Sequence, residues 1–292
     1  MEPISNRYEF IVLFDVENGN PNGDPDAGNA PRTDAETGLG IVTDVCLKRK
    51  IRNYVELVKE GVPGYNILIK TDNSLNNKFT AAHSALGSTD KKKSASDIAA
   101  ARDYMCKNYY DVRTFGAVMS TGNDPCGTVR GPVQINLARS IDPVFPQELT
   151  ITRQAITDTK KFTEQAEKNG VMTEMGKKNI VPYGLYRAEG YVSAMLAQKT
   201  TGFSEEDLEL LWEALINMFE HDHSAARGKM CVRALYVFKH DSALGNAPSA
   251  ALFDKVTIEK KPGVEYPRAY TDYVVNVDDD MPAGVTLIRK QG

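Results

Sequence analysis

Apolar side chains crowd both alternating faces of residues 7–17 (Arg-Tyr-Glu-Phe-Ile-Val-Leu-Phe-Asp-Val-Glu), so this segment is expected to be a strand buried on two sides. From about 44 to 60 the period changes. Leu47, Ile51, Tyr54, Val55 and Val58 fall at three- and four-residue spacing, the stripe of an amphipathic helix. Lys48, Arg52 and Lys59 line one flank of that stripe and Arg49 points outward, while Val62-Pro63-Gly64 stops the helix. Tyr65 to Lys70 reads as a short strand. Residues 71–128 are irregular, with a helix near 96–108 and a surface loop at Lys91, Lys92 and Lys93, and look like an insertion into a smaller sheet domain. Strand alternation resumes over 129–141 and lapses through a polar arm from about Pro143 to Asn179. The arm holds Arg153, Lys160, Lys161, Lys168, Lys177 and Lys178, has too little apolar surface to fold alone and is expected to project from the body. Strand character returns from Tyr183 to Ala197. Ser204 and Asp207 stand at capping-box spacing before a helix whose buried stripe is Leu208, Leu211, Trp212, Leu215 and Phe219. Met230 to Lys239 is a further strand, and 253–277 reads as strand and turn.

With the insertions removed the order is strand, helix, strand, strand, helix, strand. That is an α+β chain with the split βαββαβ arrangement of ferredoxin-like and RNA-recognition (RRM-like) domains. Fold order alone assigns no function. The aromatic signature of an RNA-stacking sheet face is not evident, and Trp212 belongs to a core stripe.

Composition bounds the classes. The 292 residues, 41% hydrophobic and 25% charged, are those of a soluble globular protein. No apolar run approaches bilayer length and no signal-peptide pattern opens the chain, so a cytoplasmic protein is expected. Cys46, Cys106, Cys126 and Cys231 form no C-x-x-C pair, which argues for free thiols instead of a disulfide framework or zinc knuckle. The net charge of −4 disfavours a general nucleic-acid binder. Acidic residues collect at 205–222 and 278–280, however, and a single-stranded polyanion needs only a local cationic groove.

One stretch supplies such a groove. Asn18 to Pro25 (Asn-Gly-Asn-Pro-Asn-Gly-Asp-Pro) lets the backbone approach a ligand closely, because glycine removes the steric barrier and asparagine tolerates left-handed conformations. The loop passes through Arg32 to Thr43, where a helix start adds unpaired N–H donors and the positive end of a dipole. Lys48, Arg49, Lys50 and Arg52 follow in its first two turns. Three other chemistries compete. Asp15, Asp24, Asp26, Asp34 and Asp44, with His221 and His223, suggest a metal-dependent nuclease, yet these positions also suit turns, caps and a helix end. Asn18, Asn20, Asn22 and Gly23 copy half of a calcium loop, but its twelfth position is Asn29 instead of Glu. A structural filament protein would need no nucleic acid, and the cationic loop and helix argue against it.

Several long motifs then agree with one family. They are residues 18–25, Pro-Arg-Thr-Asp at 31–34, Gly-Leu-Gly-Ile-Val-Thr-Asp-Val-Cys-Leu-Lys-Arg-Lys-Ile-Arg at 38–52, Arg-Gly-Pro-Val-Gln at 130–134, Arg-Ser-Ile-Asp-Pro at 139–143 and Val-Pro-Tyr-Gly-Leu-Tyr-Arg at 181–187. In this order, across most of the chain, they resemble the backbone subunit of type I-C CRISPR Cascade surveillance complexes, in the RAMP superfamily. The resemblance implies a hand. An RRM-like palm comprises 1–70, 129–142 and 183–292, a helical finger comprises 71–128, and an extended thumb comprises 143–182. It implies CRISPR RNA (crRNA), target DNA paired to it, neighbouring copies and other Cascade subunits as partners, with no cofactor, metal or catalysis, although related type III backbone subunits cleave RNA. The RNA-contacting residues it implies are Thr43, Lys48, Arg49 and Arg52 at the helix and Phe115 and Gly116 beside the bound RNA strand, with Asn20, Asn22 and Arg32 as loop candidates for phosphate or ribose contact. Arg153, Met175, Lys177 and Lys178 are its thumb candidates, with Met175 as a flexible wedge.

Overall fold

The computed structural model describes residues 2–88, 90, 92–167 and 173–292; Lys91 and Lys168 of the expected surface cations lie outside them. A central antiparallel sheet organises the molecule. Its first strand, β1 (Tyr8–Gly19), is buried on both faces as its pattern requires. β2 (Leu39–Val42) leads into α1 (Asp44–Val58). Then come α2 (Leu75–Ala85), α3 (Ala95–Asn108) and α4 (Tyr110–Phe115), followed by a hairpin of β3 (Gly116–Met119) and β4 (Gly127–Arg130). β5 (Val133–Ile135) and β6 (Ala138–Pro143) return to the sheet, β7 (Gln147–Arg153) and α5 (Thr159–Glu167) lead away from it, and β8 (Glu174–Val192) runs back through it. α6 (Glu205–Asn217), β9 (Lys229–His240), β10 (Val256–Lys260), β11 (Tyr273–Val277) and β12 (Val285–Gln291) complete the chain.

The sheet order is β12-β9-β1-β8-β6-β2, with β5 beside the C-terminal end of β8 and β7 beside its N-terminal end. Period-two alternation divides β1 between two cores. Phe10, Val12, Phe14 and Val16 face α1 and α6, where Leu47, Ile51, Val55, Leu208, Leu211 and Trp212 are buried with them. Trp212 is 2% exposed and meets the Phe10 ring edge-on at 5.3 Å. Ile11 and Leu13 face the opposite side, under Leu252, Phe253, Val256 and Tyr273. A third cluster, built on Phe79, Met105, Val112, Met119 and Val129, serves the segment between α1 and β5.

Several expectations need correction. Tyr65 to Lys70 is not a strand, because the N–H groups of Leu68 and Ile69 donate to the Asp111 carboxylate instead of to a neighbouring strand. Strand character beyond Tyr183 ends at Val192, and Ala194–Leu196 is helical. The region 71–128 holds α2 and α4 besides α3, and β12 adds an edge strand past 277. Val58 is 40% exposed and leaves the α1 stripe. Arg49 does not point outward: its Nη2 donates to the Ile69 carbonyl at 2.7 Å. Among the described residues no helix is long and apolar enough to cross a membrane. All four cysteines are free.

Candidate nucleic-acid interface

The glycine- and asparagine-rich loop folds back on itself and locks the start of α1. Asn18, at the end of β1, and Asn29 adopt left-handed φ angles of 51° and 62°, and Asn29 lies in the turn that closes a short ladder between Gly23–Asp24 and Ala30–Pro31. The Asn20 amide donates to the Asn29 carbonyl at 2.7 Å, and its Oδ1 is buried without a hydrogen-bond partner among the described residues. Asn22 Oδ1 accepts from both the backbone N–H and the hydroxyl of Thr43, each at 2.9 Å. Thr43 Oγ1 in turn accepts from the N–H of Cys46, capping α1. Arg32 lies 3.3 Å from Asp24, and its N–H donates to the Asn22 carbonyl. The structure therefore gathers Asn20, Asn22, Arg32 and Thr43 into one unit at the positive end of the helix.

The cations of α1 have separate roles. Lys50 is 1% exposed and paired with Asp222, which also holds Arg227 at 2.7 Å; burial pushes the Lys50 ammonium below its ordinary value, opposed by the Asp222 hydrogen bond. Arg52 is nearly buried, with Nε 2.8 Å from Asp111. Lys48 bridges to Asp44 one turn back at 2.9 Å. Its Nζ stands 5.7 Å from the centre of the Phe115 ring, and the Arg52 guanidinium carbon 5.2 Å from the same centre. Arg49, held on the Ile69 carbonyl, is pushed below its ordinary value by burial and then by the Arg52 charge. The sequence placed Lys48, Arg52 and Phe115 in one site, and the fold stacks the first two on the third.

Gly116 continues from Phe115 with φ 80°, and a Cβ there would lie 2.3 Å from the Val129 carbonyl oxygen and 2.5 Å from Gly131 N. Only glycine allows this approach, which seats Phe115 against the β4–β5 turn.

The arm candidates divide. Opposed residues of β7 and β8 share a face, so Arg153 (opposite Glu174) and Lys178 (opposite Leu149) lie on one side, and Met175 and Lys177 on the other. The second side carries Asn179, whose amide reaches the Gly28 carbonyl at 3.4 Å and so faces the loop. Met175 is 78% exposed, and Lys177 pairs with Glu148 at 2.8 Å. Arg153 is tied to Glu174, the Ala155 carbonyl and the Thr157 hydroxyl.

Two neighbours of the site have partners that the sequence did not show. Asp111 holds Arg52 from 59 positions away, a distance no local pattern reports. Asp34 bonds Arg139 at 3.0 Å; the N–H of Thr37, then Arg139, then the N–H of Glu36 bring its pKa down to about 2. The aspartates that suggested a metal site are dispersed: Asp15 is paired with Arg233, Asp24 with Arg32, Asp44 with Lys48. His221 and His223 are exposed, and among the described residues no three His, Cys, Asp or Glu side chains converge as metal ligands.

Comparison with known proteins gives a consistent set of matches. Residues 6–278 match the family model described as CRISPR-associated protein Cas7. A curated relative from Haloferax volcanii, also described as CRISPR-associated protein Cas7, is 27% identical over 232 residues; the match covers 73% of this chain and 65% of the relative, just under two thirds of its length. A chain of a CRISPR RNA-guided surveillance complex superposes with TM-score 0.50 at 14% identity over 91% of this chain and 78% of that one, a likeness of fold. A chain from such a complex described as pre-nicking gives TM-score 0.47 at 14% identity over 80% and 78%.

Proposed function

The chain belongs to the CRISPR-associated protein Cas7 family, and from that premise we propose that it is the crRNA-binding backbone subunit of a type I-C CRISPR Cascade surveillance complex. Copies line up side by side along the spacer and present guide bases for pairing with target DNA in antiviral defence. The other Cascade subunits complete the assembly in the cytoplasm. The chain itself catalyses nothing; it holds.

In this proposal residues 1–70, 129–142 and 183–292 form an RRM-like palm. Its support is the strand order β9-β1-β8-β5/β6, with α1 following β1 and α6 following β8, and both helices packed on one face. Residues 71–128 form the finger, which has its own apolar cluster. Residues 143–182 form the thumb, whose β7 is exposed along its whole length.

The observation that carries the proposal is the stack of Lys48 and Arg52 on Phe115, one and two turns past a helix start that Thr43 caps and Asn22 of the loop braces. Backbone N–H groups, a helix dipole and cations suit the sugar-phosphate chain, and they contain no device for reading base edges. A guide whose spacer varies requires that division, leaving sequence recognition to Watson–Crick pairing. Purifying the chain with the other Cascade subunits and sequencing the bound RNA tests it. Repeat-derived RNA with variable spacers is expected; bulk cellular RNA, or none, refutes it.

A further inference from the structure

The six-residue helix α4 joins three parts of the molecule through alternate side chains. Asp111 reaches α1, accepting Arg52 Nε at 2.8 Å. The same carboxylate accepts the N–H groups of Leu68 at 2.8 Å and Ile69 at 3.1 Å. Arg49 of α1 and Lys78 of α2 then take the carbonyls of Ile69 and Leu68, at 2.7 and 2.8 Å. Two residues on, Arg113 makes a two-pronged pair with Asp207, which completes the capping box of α6 with Ser204, at 2.7 and 2.8 Å. Two residues further, Phe115 carries the Lys48 and Arg52 stack.

Asp111 is 1% exposed, and Phe115 is 7% exposed. A carboxylate beside a polyanion site is electrostatically unfavourable to the ligand, so its presence there calls for another reason. We infer that Asp111 is the positioning residue of the anion site: it fixes the Arg52 guanidinium and, through α4, the Phe115 ring beneath Lys48, so that the docking of the 71–128 segment sets the grip of α1 on its ligand. This rests on the RNA-binding proposal and adds to it a residue that touches no RNA.

The sign of one substitution separates positioning from charge. Asp111→Asn removes a negative charge, so by electrostatics alone it should tighten RNA binding. If Asp111 positions the site, binding weakens in spite of the gained charge. The measurement uses the full chain and a fluorescent single-stranded RNA oligonucleotide at fixed salt, with a cooperative unfolding transition confirming that each variant is folded. Asp111→Asn is expected to weaken binding about tenfold, and Arg52→Lys in that background to cost nothing further. Phe115→Leu leaves every bond of Asp111 in place and is expected to weaken binding about fivefold by removing the ring under both cations. A folded Asp111→Asn variant that binds as tightly as the unsubstituted chain, or more tightly, overturns the inference. Should Asp111→Asn not fold, unaltered binding by Phe115→Leu overturns it instead. Failure of the unsubstituted chain to bind RNA sinks the RNA proposal itself, a distinguishable result.

Discussion

Lys48 and Arg52 stand one helical turn apart over the same ring, yet their removal should have very different consequences. Arg52 neutralises Asp111, whose side chain is 1% exposed, and Arg52→Ala strands that carboxylate in the interior. Leaving a buried charge unpaired costs about 3–5 kcal/mol. Lys48 bridges a one-third exposed Asp44 within its own helix, so Lys48→Ala should cost about 0.5 kcal/mol or less. Denaturant midpoints of the two variants check this, and equal stabilities would contradict it. A variant with both Lys48→Ala and Arg52→Ala would therefore confound RNA binding with folding, and Lys48→Ala alone is the clean probe of the cationic contact. Helical periodicity put these two residues on one flank correctly. It had no means of showing that Arg52 and Lys50 are internal, because their partners Asp111 and Asp222 lie 59 and 172 positions away.

At the level of elements, β8 combines two environments in one 19-residue strand. From Val181 to Val192 it pairs with β1, and from Glu174 to Ile180 it pairs with β7. None of residues 147–179 appears in a buried cluster among the described residues, whereas Val144 and Val181 at the base do. Gln147 and Ile180 are opposed partners, so a two-residue turn can join the flanking chain without moving the sheet. Replacing 148–179 with Asn-Gly should leave the unfolding midpoint of the body nearly unaltered while abolishing RNA-dependent assembly. A large loss of stability would show that the hairpin braces the body. Loss of apolar alternation announced this arm in the sequence, but the continuity of its second strand with the sheet was invisible, since polar and apolar halves of one strand share no common period. The reverse error occurred at 65–70. Those residues have strand composition, but a carboxylate from α4 takes their donors.

At the scale of the whole molecule, the net charge of −4 constrains how the proposed RNA ligand can be held. A diffuse basic surface would attract any polyanion from a distance; here most cations are already committed, Lys50 to Asp222, Arg113 to Asp207, Arg139 to Asp34 and Arg187 to Glu189. In the proposed assembly, binding comes from a few fixed groups repeated copy after copy, chiefly Arg49, together with Lys48 and Arg32, whose own pairs with Asp44 and Asp24 are partly exposed, and the N–H groups at the start of α1. Each phosphate neutralised on a single strand contributes about −0.7 to the slope of log affinity against log salt. Three side-chain cations per copy therefore give a slope of about −2 for each subunit added, and Lys48→Ala should reduce it by about 0.7 per subunit. With contacts confined to phosphate and sugar, as proposed, guides of the same length but unrelated spacer should give superimposable titrations. Titrating assembly on two such guides across a range of salt measures both quantities at once. A slope near zero would mean that the gathered cations are structural, and an affinity difference of tenfold or more between spacers would mean that the site reads bases.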